Sequence, residues 1–161
     1  AAEKRSLTRR ALNSLPGVMG VNNHQGSKAT ADKDTMRVVL QELRRQKLFF
    51  VDSRTNSASV ARNMAQQLDV STARNDIFLD NSSDVQAIRQ QIYKAFAMAE
   101  KNGSVIAICH ARPNTAKCWE MYAAEFKRTG ITFVPVILFL FFCSYLPPIC
   151  NIHHAVCNEF L

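Results

Sequence analysis

The chain has 161 residues, 47% of them hydrophobic and 20% charged, with a formal net charge of +7. That length and balance suit one globular domain with a core of its own and exclude a disordered or low-complexity chain. The positive charge favours anionic partners. However, the basic pairs Arg9–Arg10 and Arg44–Arg45 fall in helix-like segments with no aromatic residues interleaved, so a solvated helix face explains them better than a nucleic-acid stripe.

The elements alternate along the chain. "SLTRRALNSL" (6–15) reads as a helix stopped by Pro16-Gly17, and "VMGV" (18–21) as a short strand followed by a polar loop over 22–30. Residues 31–46 place Met36, Val39, Leu40 and Leu43 on one helical face, with Asp32 or Asp34 as cap. "LFFVD" (48–52) is a continuous apolar run of the kind found in parallel strands buried on both faces. A helix over 57–68 and a strand "DIFLD" (76–80) follow. Next come a long helix over 82–103 with Ser82 or Ser83 as cap and Gly103 as stop, and a buried strand "SVIAICH" (104–110). A helix over 114–130 and a strand "ITFVPV" (131–136) complete the pattern. Repeated strand–helix units predict an α/β fold with a parallel sheet, whose working face is at the carboxyl ends of the strands.

Those ends carry Asn22-Asn23-His24, Asp52-Ser53-Arg54, Asp80-Asn81 and His110-Ala111-Arg112. Four strand ends with groups able to ligate a metal, abstract a proton or bind a sugar hydroxyl exceed chance expectation. Asp80 alone among them reads better as a turn or cap residue.

After Val136 the character changes. Residues 131–150 form an apolar run long enough to span a bilayer, but Pro135 and Pro147-Pro148 cut it to about 11 uninterrupted residues, nearer a buried segment than a span. Membrane contact by the tail is therefore the weaker expectation. The five cysteines, an odd number in a chain this long, do not suggest a disulfide scaffold. In "CNIHHAVC", Cys150, His153, His154 and Cys157 could hold zinc, although structural sites usually separate their ligand pairs by a longer loop.

The strings "GVNNHQGS", "FFVDSRT" and "CHARP", in that order, closely resemble the divergent polysaccharide deacetylases, and the resemblance covers roughly residues 5–136. It implies a distorted (β/α) barrel of the glycoside hydrolase/deacetylase type. On this reading residues 1–136 are the carboxyl-terminal portion of the deacetylase domain and 137–161 an atypical tail. It further implies metal-dependent removal of N-acetyl groups from an envelope glycan in the bacterial periplasm, with a carbohydrate polymer or oligosaccharide as partner. Zinc or a similar divalent ion is the implied cofactor, with His24 as metal ligand, Asp52 and Arg54 as polar site residues and His110 as general acid. Members of the family also carry an "IDD"-type aspartate pair and an "HLP"-type histidine. Neither occurs here, where the histidines are 24, 110, 153 and 154, and Cys109 stands where glycine is usual. The chain therefore reads as incomplete at its amino terminus, starting at a processing site or a truncation with no export signal of its own.

The chemistry can be weighed residue by residue. Amide hydrolysis needs an activated water, a polarised carbonyl and a proton for the leaving amine, and a divalent metal supplies the first two. His24 can be one of the three protein ligands that a catalytic zinc requires, or a loop histidine bonded to backbone. Asn22 or Asn23 could offer an oxygen or hold a sugar hydroxyl. Asp52 could ligate or orient a histidine, and Arg54 could pair with Asp52 or, with Arg112, contact substrate. His110 suits proton donation. The alternative to a deacetylase is a glycan-binding protein, or an inactive fragment of the same fold, that turns nothing over.

Overall fold

In the computed structural model, which describes residues 2–24, 26–145 and 154–158, the chain forms two compact units, Ala1–Arg74 and Asn75–Leu161. The first contains helix α1 (Ala2–Asn13), strand β1 (Gly20–Asn22), helices α2 (Ser27–Ala31) and α3 (Lys33–Arg45), strand β2 (Phe49–Asp52), helix α4 (Ala61–Gln67) and strand β3 (Thr72–Arg74). Its strands pair in parallel in the order β1-β2-β3, with Asn22 opposite Val51 and Asp52 opposite Arg74.

Sequence explains where these elements start and stop. The helix expected over 31–46 is α3, and Asp32, one of its two expected caps, fills that position: its extended backbone (φ −94°, ψ 110°) lets its side chain accept the Thr35 amide at 2.8 Å, while α2 forms within and just past the loop expected over 22–30. Arg44 and Arg45 close the helix where cations suit its negative end. Met36, Leu40 and Leu43 then pack with Leu12, Phe50, Met64 and Val70 in the core. Gly20 allows β1 to lie against β2, because a Cβ there would fall 2.3 Å from the Phe49 ring.

Glu42 is an exception on the buried side of α3. Its side chain is 4% exposed, Arg9 donates to Oε1 at 2.8 Å, and Oε2 is buried without a partner among the described residues. The Arg9 hydrogen bond holds this carboxyl below its ordinary range against the opposing effect of burial. The pair orients α1 more than it stabilises. Glu42→Leu is expected to leave the urea midpoint unchanged or raise it, whereas Arg9→Ala, which leaves a buried charge, lowers it. The reverse order would show that the pair is itself a net source of stability.

The second unit contains strand β4 (Ile77–Phe78), helix α5 (Val85–Asn102), strand β5 (Ser104–Ile108), helix α6 (Pro113–Lys127), strand β6 (Thr132–Phe133), helix α7 (Val136–Tyr145) and strand β7 (His154–Asn158). All pairings are parallel, in the order β4-β5-β7-β6. Asp84, rather than Ser82 or Ser83, caps α5 by accepting the Ala87 amide at 2.7 Å, and Gly103 at φ 82° ends it. Pro113 opens α6 at its first turn, where the missing amide is not needed.

Phe126 of α6 is the centre of this core. It is 2% exposed and makes ring contacts with Tyr93, Phe96, Trp119 and Tyr122 at centroid distances of 5.2–6.1 Å. At the edge of this cluster the Arg89 guanidinium stacks on Tyr93 and Tyr122 and donates through Nε to Glu125 at 3.1 Å, tying α5 to α6.

The parallel α/β architecture is thus as the sequence implies, while neither sheet closes on itself among the described residues. The strand expected over 131–136 shortens to two residues, because Val136 opens α7, whose Val136 and Leu140 are buried. Among the described residues no helix is long and apolar enough to cross a membrane. Cys150 and His153 of the "CNIHHAVC" pattern lie outside the described residues.

Candidate active-site clusters at the strand ends

Each unit carries a polar cluster where its parallel strands end. In the first, the register that sets Asn22 beside Val51 brings Asn22 and Asn23 to Ser53. Asn22 Nδ2 donates to Ser53 Oγ at 2.8 Å, and Asn23 Oδ1 accepts the Ser53 amide at 2.8 Å. Asn56 Nδ2 reaches the Ser27 carbonyl at 2.9 Å, and Ser27 Oγ lies 3.2 Å from Thr55 Oγ1. Gly26 fits this turn because a Cβ would lie 2.9 Å from Asn23 Cβ. The two asparagines expected to hold substrate therefore also fasten the β1 loop to the β2 loop.

Asp52 is 3% exposed. Its Oδ1 accepts the Arg54 amide at 2.9 Å and its Oδ2 the Ser59 hydroxyl at 2.7 Å. Its partner is thus the Arg54 backbone and not the guanidinium, and no ion pair reaches Asp52 among the described residues. Arg54 is exposed and sits at φ 58°, a left-handed conformation that a non-glycine residue adopts at some cost. The Asp52 hydrogen bond to its amide helps hold that turn. His24 is exposed in the loop after β1.

In the second unit Ile77 pairs with Ala107 and Phe78 with Ile108, an offset of 30 residues in each case. The same offset continues past the strands to Asp80 and His110. Asp80, 1% exposed, accepts the His110 amide at 2.7 Å and Thr115 Oγ1 at 2.9 Å on Oδ2, while His110 Nδ1 lies 2.9 Å from Oδ1. Burial pushes this carboxyl up, but the hydrogen bonds from the His110 ring and amide and from Thr115 outweigh it and hold Asp80 below its ordinary 3.8. An ionised carboxylate only accepts, so Nδ1 is the donor in this pair. The imidazole is 37% exposed and can reach a ligand. Arg112 Nη1 donates to the Asp80 carbonyl at 3.0 Å, so the arginine expected to contact substrate also braces this turn.

The sequence favours a turn or cap residue at Asp80; in the structure its carboxylate accepts hydrogen bonds from His110 and Thr115. A signal was present: "IFLD" ends its strand in an aspartate as "FFVD" does. Thr115 and Ser59 carry no such signal, because neither stands at a strand end: Ser59 reaches back to Asp52 within one loop, and Thr115 comes from the first turn of α6.

The donor set can be tested against zinc. A catalytic site needs three protein ligands. Among the described residues no three His, Cys, Asp or Glu side chains gather closely enough to hold a metal ion, and both oxygens of Asp52 already accept hydrogen bonds. The described residues do not fit such a centre by themselves.

Comparison with known proteins agrees with this architecture. An uncharacterized protein of Haemophilus influenzae is 41% identical over 115 residues, 71% of this chain and 41% of that protein. The uncharacterized protein YibQ of Escherichia coli is 40% identical over 111 residues, 69% of this chain and 35% of that protein. The chain thus spans well under half the length of these relatives. The crystal structure of the uncharacterized protein ATU2773 from Agrobacterium tumefaciens superposes with a TM-score of 0.62 over 67% of this chain and 45% of that one, at 20% identity, a likeness of fold alone. Residues 1–139 match the divergent polysaccharide deacetylase family, and the chain belongs to it.

Proposed function

We propose that this chain provides the acid side of a carbohydrate N-deacetylase site and that, on its own, it binds N-acetylated glycan without hydrolysing it. The observation that carries the reading is the His110–Asp80 pair at the ends of β5 and β4. When an N-acetyl C–N bond breaks, the departing amine nitrogen takes up a proton. In this reading His110 supplies it, and the hydrogen bonds to Asp80 support the role by fixing the ring. The binding half of the proposal is supported by the donor set, in which no three His, Cys, Asp or Glu side chains gather to hold a metal ion among the described residues. A distorted (β/α) barrel and a periplasmic or envelope location belong to the same proposal. Parallel strand–helix units support the barrel, and family membership alone supports the location.

Titration calorimetry with an N-acetylglucosamine oligomer tests it. Wild type is expected to bind and His110→Ala to bind about tenfold more weakly, the equivalent of one hydrogen bond to ligand. Binding by neither would overturn the carbohydrate reading, and equal binding by both would remove His110 from the site.

A further inference from the structure

Helices α1 and α3 leave a groove between them that the site chemistry does not use. It consists of two adjoining clefts of about 470 and 460 Å³ that share Arg5 and Gln41. Lys4, Arg37, Arg44 and Arg45 supply the remaining cations, and Asp34 is the one acid in the lining. Residues 37, 41, 44 and 45 recur at helical spacing, so they form a row on one face of α3. Arg5 Nη2 donates to Gln41 Oε1 at 3.3 Å and sets the distance across the groove.

The charges differ in how they are balanced. Lys4, Arg37 and Arg44 pair with Asp32, Asp34 and Asp69 at 3.4–3.8 Å. Among the described residues no carboxylate lies within ion-pair distance of Arg5 or Arg45, which both line the second cleft. Two guanidiniums in one cleft without an ion-pair partner in reach, Arg45 meeting the Glu42 charge only at longer range, attract anions, and guanidinium suits carboxylate oxygens in particular. The row from Arg37 to Arg45 extends about 12 Å at 1.5 Å per residue. That length meets successive charges of one polymer and does not converge on a single small anion. The lining contains no aromatic side chain on which a base could stack.

We infer that this groove binds an acidic polysaccharide, one bearing carboxylates along its length, and that it gives the chain a preference for anionic over neutral glycans. The inference rests on the carbohydrate reading above and adds the charge class of the glycan.

The test compares an oligomer of alternating N-acetylglucosamine and glucuronate with a neutral N-acetylglucosamine oligomer of equal length, using the full chain at low salt. The acidic oligomer is expected to bind about tenfold more tightly, the sum of two exposed charge contacts, and added salt should erase the difference. Arg5→Ala with Arg45→Ala should abolish the preference and leave neutral binding unchanged. Arg5→Lys with Arg45→Lys should keep most of it, and Lys94→Ala with Lys127→Ala, an equal charge loss elsewhere, should keep all of it. A preference that survives the paired alanines, or that never exists, overturns the groove while neutral binding upholds the carbohydrate reading. Loss of binding to both oligomers in wild type overturns both readings. Competition by millimolar inorganic phosphate would show a discrete anion site and overturn the polymer. Tighter binding of a single-stranded oligonucleotide than of the acidic glycan would also overturn it.

Discussion

Asp80→Ala is expected to lower the stability of the second unit by about 3 kcal/mol. Three donors lose their acceptor at once: the His110 amide, the His110 ring and the Thr115 hydroxyl. Each was bonded to a charged group, and each buried donor left unpaired costs on the order of 1–3 kcal/mol. The loss depends on pH with a definite sign. The folded state holds the Asp80 carboxyl below its ordinary 3.8, so the ionised form is the one the fold favours. Its contribution is fully present above 3.8 and is lost as pH falls through and below that value. Urea midpoints of wild type and Asp80→Ala should therefore differ most near neutrality and converge at low pH. Curves that stay parallel down to pH 3 would show that the charge on Asp80 contributes nothing.

Phe126→Ala should be costlier, about 3–5 kcal/mol, the usual range for removing a buried phenyl ring. The ring is 2% exposed and meets four other rings, Tyr93, Phe96, Trp119 and Tyr122. Aromatic pairs of this geometry add about 0.5–1.5 kcal/mol beyond area burial. The effect extends beyond stability, because α6 carries Thr115 and its first turn follows Arg112. Loosening α6 should weaken glycan binding as well, whereas Phe126→Leu, which keeps most of the volume, should retain it. A midpoint unchanged by Phe126→Ala would show that Phe126 does not anchor α6.

Much of the fold was legible in the sequence because its signals are local. The apolar face of α3, the uninterrupted β2 and β5 runs and the Gly103 stop can each be read within a few residues. What escaped depends on pairing between distant segments. β3, only three residues long, exists because Thr72–Arg74 lie along β2, and nothing within those residues marks them as a strand. Helix α2 escaped because residues 27–30 read as part of the polar loop that precedes the Asp32 cap. The site divides in the same way. Asp52, Arg54 and His110 stood out as polar residues ending apolar runs. Asp80 also ends an apolar run, but its hydrogen bonds to His110 depend on the 30-residue register that sets the two side by side.

Acetate release from an N-acetylglucosamine oligomer by the purified chain, with zinc supplied, tests the central claim most directly. The account predicts binding with no acetate above the protein-free background, because the proposed proton-delivering pair, His110 and Asp80, is not accompanied among the described residues by three side chains gathered to hold a metal ion. Zinc-dependent acetate release that disappears in His24→Ala would contradict it, showing that this chain assembles a complete metal centre of its own.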